Sequence, residues 1–319
     1  MFYNVENLFD TENDPHKNDN EFLPEGIKHW TGWRYRNKIN KIAGVISVAG
    51  EGWKVPDVVG LCEVENDSVI INLTRYSSLG KWGYRYVMTD SPDMRGIDVA
   101  LLYRQSSFKY LSHECYRIKF PNNKSKKTRD ILHVTGLVAG GDTIDIFVCH
   151  FPSRRGGEKI SEKFRVYTAS VVKANIDRLR KTRPNVKVII MGDFNDEPSD
   201  RSIRETLGAV SVPAAGDTEP DSLYNLFAHY EKKKNEGTYK YQRRWYMLDQ
   251  ILVSGNLLNQ ERRFRVLPNT AQIFVREYML TEDKTKGGKR PKKSFYGAIH
   301  EGGYSDHLPV IVDFSTGKK

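Results

Sequence analysis

Cysteine is scarce: Cys62, Cys115 and Cys149 are the only three in 319 residues, and no two share a short spacing. An odd count without a C-x-x-C pair argues against a disulfide framework or a zinc site. Each of the three lies within or beside an apolar run, so all are expected to be buried thiols. No apolar stretch approaches the roughly 20 residues needed to cross a bilayer, and no export signal is visible. The chain reads as soluble, without a transmembrane segment. Because Met1 to Val5 already reads as a core strand with no lead-in, the sequence looks trimmed. If an export signal was removed the protein is exported; otherwise it is cytoplasmic. Internal repeats and low-complexity linkers are also missing, so residues 1–319 are expected to form a single domain. Nothing in the sequence points to an obligate protein partner.

What is present is an ordinary globular composition, 39% hydrophobic and 28% charged, which excludes a wholly disordered chain. Fifty Lys+Arg against 40 Asp+Glu give a formal charge of +10, suited to polyanionic partners such as nucleic acid or an anionic membrane surface, or simply to solubility. Six of the ten residues from Lys284 to Lys293 are basic, and Lys124, Lys126, Lys127 and Arg129 form a second knot. Both are expected to be flexible loops that meet phosphates.

Short β-rich runs recur at Phe2–Val5, Asp57–Val64, Tyr84–Met88, Asp98–Tyr103, Ile131–Val138, Thr143–Cys149, Val186–Met191, Met247–Val253 and Leu308–Phe314. Several are continuous Val/Ile/Leu runs, the mark of strands buried on both faces. Helices are few. Ile160, Phe164, Tyr167, Val171, Ile176 and Leu179 recur at helical spacing from Glu158 to Arg180, and Ile39, Ile42 and Ile46 do so from Tyr35 to Val48. A short third helix is expected near Pro198, capped by Asp196 or Glu197. Many strands with sparse, irregular helices suit a layered αββα sandwich of the α/β (α+β) class better than a regular βαβ repeat. The least ordered stretches should be Asn13 to Asn20, Val212 to Asp221 and Thr281 to Ser294.

Chemistry-bearing residues gather where apolar runs stop. Met191-Gly192-Asp193-Phe194-Asn195-Asp196 follows Val186 to Ile190, and Ser305-Asp306-His307 precedes Leu308. Glu63 and His150 close two further runs, Asn4 closes the first, and Asp249 lies inside an otherwise apolar one. A strand end fixes a polar group in position, as catalytic preorganisation requires. A Glu at such an end is either solvated or neutralised by a cation. A carboxylate inside a strand needs a partner, and a histidine is the natural one, because the pairing fixes its tautomer and raises its basicity.

The ordered set Asn4, Glu63, His150, Asp193-Phe194-Asn195, Asp249 and Ser305-Asp306-His307 resembles the endonuclease/exonuclease/phosphatase family across nearly the whole chain. That resemblance implies a four-layered αββα sandwich, two packed mixed β-sheets flanked by helices, with the site at one edge of the sheets. It implies Glu63 as the main Mg²⁺ ligand with Asn4 beside it, and Mn²⁺ as an alternative ion; one ion or two stays open. Asp193 would orient or deprotonate the attacking water and Asn195 would hold the phosphate. His307, paired to Asp249, would act on the phosphate or as general base. Asp306 would be a second ligand or an acid. His150 stands where repair enzymes of the exonuclease III type usually carry Tyr, which makes an abasic-site role less suited, and Asp98 could orient it. Ser153, Arg154 and Arg155 could take a second phosphate. Trp30, Trp33, Tyr35 and Arg36 could stack on a base or cover a core edge. The leading expectation is an endonuclease or phosphodiesterase acting on nucleic acid. The alternatives are a sugar-phosphate, inositol-phosphate or sphingomyelin-type head-group hydrolase and, from another class, a noncatalytic polyanion-binding module.

Overall fold

The computed structural model describes residues 1–50, 54–213 and 218–317. Two large mixed sheets form its centre. One has six strands, in edge-to-edge order Gln272–Ile273, Val310–Ile311, Phe2–Leu8, Val58–Val64, Asp98–Arg104 and Tyr84–Met88. The other has seven, ordered Phe108–Tyr116, Ile131–Val138, Thr143–His150, Lys187–Asp193, Asp249–Ser254, Leu223–Asn225 and Ala209–Ser211.

Alternation along the strands builds three cores and hence four layers. Phe2, Cys62, Val99 and Leu101 of the first sheet face Val148, Ile189, Met191 and Ile251 of the second. Tyr3, Val5, Leu61 and Leu102 point the other way, onto the Gly32–Ser47 and Asp67–Arg75 helices. Phe147, Val188, Ile190 and Leu252 pack beneath the Glu158–Thr182 helix. The αββα sandwich is therefore the observed architecture. No helix among the described residues is long and apolar enough to cross a membrane.

Several expectations need correcting. The long helix buries Ser161, Arg165, Thr168, Ala169, Val172 and Ile176, while Ile160 is exposed. Phe164, Tyr167, Val171 and Leu179 of the expected stripe pack half-buried against the same core, beside Arg165, which Asp196 holds at 2.6 Å. The segment near Pro198 makes only a short π-type turn, Ser202–Leu207. Asp196 accepts from Ser202 Oγ and Asp200 from the Glu197 amide, so neither expected residue caps a regular helix there. Cys115 is exposed, because its strand, Phe108–Tyr116, lies at a sheet edge. Thr281 to Ser294 is no open loop: Leu280–Glu282 pairs with Lys289–Pro291 as a hairpin. Asn13 to Asn20 has no extended regular element, though Lys17 is tied to the Ser91 and Asp93 carbonyls. Of Val212 to Asp221, residues 214–217 lie outside the described ones.

Candidate active site

The register of the second sheet sets the site. His150 pairs across to Asp193, and Asp193 to Asp249, so three ionisable side chains from three adjacent strands stand in one row. Each lies two residues from an inward-facing apolar neighbour: His150 after Val148, Asp193 after Met191, and Asp249, on an antiparallel strand, before Ile251. All three therefore point into the gap between the sheets, at one end of the strands. Gly192 permits the row: a Cβ there would stand 2.5 Å from the Cys149 carbonyl oxygen.

The first sheet answers with irregular backbone. Pairing between its two central strands shifts register after Asn4, and Glu6, Asn7 and Glu63 all have positive φ. Such conformations cost free energy for residues other than glycine, and specific bonds hold them. Asn4 Oδ1 accepts from the Glu6 amide at 2.9 Å, and Glu63 Oε2 accepts from the Asn7 amide at 2.9 Å. The Asn4 side-chain amide then donates to Asp193 Oδ2 at 3.0 Å, joining the sheets.

Around Asp193 the geometry is close. His150 Nε2 lies 3.6 Å and His307 Nε2 3.8 Å from Asp193 Oδ2, and Glu63 Oε1 is 3.8 Å from His150 Nε2. His307 Nδ1 meets Asp249 Oδ2 at 2.6 Å. Asn195 caps the row, its amide donating to Asp193 Oδ1 at 2.9 Å and its side chain to the Phe151 carbonyl at 3.0 Å. Ser305 Oγ donates to the Asn4 carbonyl at 2.7 Å and accepts from the His307 amide at 3.0 Å. Asn4, Glu63, His150, Asp193, Asn195, Asp249 and His307 are thus brought together by direct contacts, with Asp306 next to His307 in the chain.

Electrostatics separates the two histidines. Burial alone would lower His307, but Asp249, and after it Asp193, hold it well above the usual imidazole value. Burial, reinforced by Arg129 and Arg95, keeps His150 well below it. The two imidazoles are pushed in opposite directions, His307 toward its charged form and His150 toward its neutral one. Burial pushes Asp193 up, partly offset by His307; burial pushes Asp306 up as well, with Glu63 adding to it. Crowded carboxyl groups of this kind are what a divalent cation relieves. Asn4, Glu63, Asp193 and Asp306 offer oxygen, the donor that Mg²⁺ prefers. Cys62, whose thiol is within 4.8 Å of donor atoms of His150 and Asp193, is a soft donor and does not suit that ion.

Three expected roles are not met by the contacts. Asp98 accepts from Thr89 Oγ1 and the Ser91 amide, and no hydrogen bond joins it to His150, whose Nδ1 is buried without a partner. Asp98→Asn is therefore expected to leave turnover unchanged; a large loss would restore an orienting role. Arg154 is spent on the Asn195 carbonyl, Asp200 and Glu158, leaving only the exposed Ser153 and Arg155 free to meet a second phosphate. Trp30 and Tyr35 are core residues, Trp30 Nε1 donating to the Phe9 carbonyl, and of the four only Trp33 and Arg36 are exposed.

Sequence reading missed two neighbours of the site. Lys38 is buried, its ammonium 3.4 Å from Glu6 and 2.6 Å from Ser294 Oγ. A lysine on the apolar face of a helix, beside Ile39 and Ile42, was the available signal. Tyr239 gave none; it lies against the His307 ring in a short strand, Tyr239–Tyr241, paired with Arg244–Tyr246. A cavity of about 630 Å³, lined by Met1, Val58, Ile189 and Met191 among others, includes none of the site residues.

The endonuclease/exonuclease/phosphatase family model matches residues 1–316. The chain belongs to that family. Among solved structures, the family's Bacteroides thetaiotaomicron mannosyl-6-phosphatase is similar at TM-score 0.58 and 18% identity, over 98% of this chain and 97% of that one. The human Nocturnin catalytic domain, solved with bound sulfate, gives 0.52 and 19% over 82% and 80%. D. rerio TDP2, solved with a single strand DNA product, gives 0.53 and 15% over 88% and 92%. These identities establish a shared fold. No curated protein matches the sequence. Membership makes this chain a phosphoesterase in the general sense.

Proposed function

We propose that the chain is a Mg²⁺-dependent phosphoesterase whose whole length serves one catalytic unit. The observation that carries this reading is Asp193 standing 3.6 Å from His150 and 3.8 Å from His307, with Asp249 bonded to the far nitrogen of His307. Asp193, anchored by Asn4 and the Asn195 amide, would orient the attacking water and take its proton. His307, kept protonated by Asp249, would donate to a phosphate oxygen as charge builds there. His150 would present Nε2 to the same group. The second amide proton of Asn195, left over from its bond to Phe151, would hold another phosphate oxygen. Glu63 and Asn4, with Asp306 beside them, would hold the ion. Mg²⁺ there would offset charge on the phosphate and on the leaving oxygen.

For substrate, the first reading is a nucleic-acid phosphodiester, supported by the +10 charge and by the DNA product held by the similarly folded D. rerio protein. A compact phosphomonoester, such as a sugar phosphate, is the second. Two observations favour it: His150 and His307 are only 2% and 7% exposed, and the basic hairpin spends Lys289 on Glu277 and Arg290 on Glu301. The deciding test is Mg²⁺-dependent turnover of supercoiled plasmid, bis(p-nitrophenyl) phosphate and mannose 6-phosphate, with His307→Ala as the control for contaminants. Nicking lost in the variant supports the nuclease reading; monoester turnover without nicking supports the second. Inactivity on all three, with Mg²⁺ or Mn²⁺, counts against both.

A further inference from the structure

Tyr239 is absent from every motif in the sequence, yet it is built into the site. Its backbone forms an isolated antiparallel bridge with His307. Its ring lies 4.8 Å from the His307 imidazole, centroid to centroid, at 31°. The neighbouring Thr238 fixes this placement: its hydroxyl accepts from the Leu248 and Asp249 amides at 3.2 and 3.1 Å, and its carbonyl accepts from the Leu308 amide at 2.8 Å. Tyr239 is thus tied to both members of the Asp249 and His307 pair instead of riding on a free loop. Lys240 extends the anchoring outward, to Asp283 at 3.3 Å in the basic hairpin.

The Tyr239 hydroxyl makes no hydrogen bond among the described residues, although the side chain is half-buried. Burial first, then the charges of Asp306, Asp193 and Glu63, push its phenol up, so it keeps its proton and stays a donor in a setting dominated by carboxylates. With the ring held against His307, the phenol has an acceptor when an anionic phosphate meets that imidazole.

Resting on the phosphoesterase reading, we propose that Tyr239 is a further catalytic residue, its hydroxyl donating to a non-bridging oxygen of the reacting phosphoryl group while its ring packs against the His307 imidazole and holds it in place. The hydroxyl adds one donor where charge grows, and the ring fixes the position of the imidazole beside it. The two contributions are separable, because phenylalanine keeps the ring and leucine removes both.

Wild type, Tyr239→Phe and Tyr239→Leu should be compared with Mg²⁺ on bis(p-nitrophenyl) phosphate and p-nitrophenyl phosphate, reading kcat and KM separately across pH. Inorganic phosphate affinity is measured alongside by calorimetry, and thermal melting checks the fold. Tyr239→Phe is expected to lose about 10- to 100-fold in kcat with little change in KM, the pattern of a contact strengthened in the transition state. It should also bind phosphate more weakly. Tyr239→Leu should lose more, because the ring packed 4.8 Å from the His307 imidazole goes as well. Wild-type kcat and phosphate affinity in Tyr239→Phe would overturn the proposal. A wild type that binds phosphate but hydrolyses neither ester, and neither plasmid nor mannose 6-phosphate, would sink the phosphoesterase reading, and the phosphate comparison would still decide whether the Tyr239 hydroxyl meets a phosphate oxygen. A wild type that neither binds nor hydrolyses removes both.

Discussion

His307→Ala is expected to lower turnover by about 10³-fold or more, since it removes the proton donor at the phosphate and strands its partner. It should also destabilise the protein. Asp249 is 0% exposed and its Oδ1 already lacks a hydrogen bond; the Oδ2 bond to His307 is its side-chain contact at 2.6 Å. Deleting the imidazole leaves a buried carboxylate unpaired, a change that costs about 3–5 kcal/mol in comparable pairs. Position at a sheet end suggests that the fold would ignore this substitution, and the burial of the pair argues otherwise. His307→Gln separates the effects, because its amide can still donate to Asp249. Gln should recover most of the melting temperature and almost none of the rate. A glutamine variant that turns over within tenfold of wild type would remove His307 from the chemistry.

The sandwich was legible because its central strands are continuous apolar runs, and the site because each run ends abruptly in Asn, Glu, His or Asp. A strand buried on both faces has no other way to end than by releasing polar groups at a sheet edge. The parts that could not be read follow the same physics. Phe108–Tyr116 is a nine-residue strand whose residues are mostly exposed; at an edge there is no apolar run to see. The Asp67–Arg75 helix is short, and its clearest marker, the Asn66 side chain capping the Val69 amide at 3.0 Å, is a single residue. Asp98 and Arg154 lie next to motifs in sequence or strand order, which invites functional roles. The first satisfies Thr89 and Ser91, and the second clamps the loop that carries Asn195. Proximity along the chain does not say which partner a charged side chain finds. Tyr239 is the converse, a functional position made by the crossing of two distant segments, with no local pattern to announce it.

Glu63→Gln should lower Mg²⁺-dependent turnover by about 10²- to 10³-fold, the several kcal/mol that a correctly held ion contributes. The substitution is mild in shape. A glutamine carbonyl can accept from the Asn7 amide as Glu63 Oε2 does at 2.9 Å, so the positive-φ turn at Glu6 and Asn7 keeps its anchor. What changes is one negative charge among crowded carboxyl groups. Burial pushes Asp306 up, His307 offsets part of this, and Glu63 adds to it, so without metal the two carboxyl groups repel each other. Metal-free Glu63→Gln should therefore melt above metal-free wild type, as expected when a site trades stability for function. Adding Mg²⁺ reverses the order. An ion at one hundred times its dissociation constant stabilises the state it binds by about 2.7 kcal/mol, so wild type should gain strongly and the variant little. Melting curves in EDTA and in saturating Mg²⁺ decide the matter without any assay of turnover. An equal Mg²⁺ shift in both proteins would mean that Glu63 is not a ligand, and that the ion is held by Asp193 and Asp306 without it.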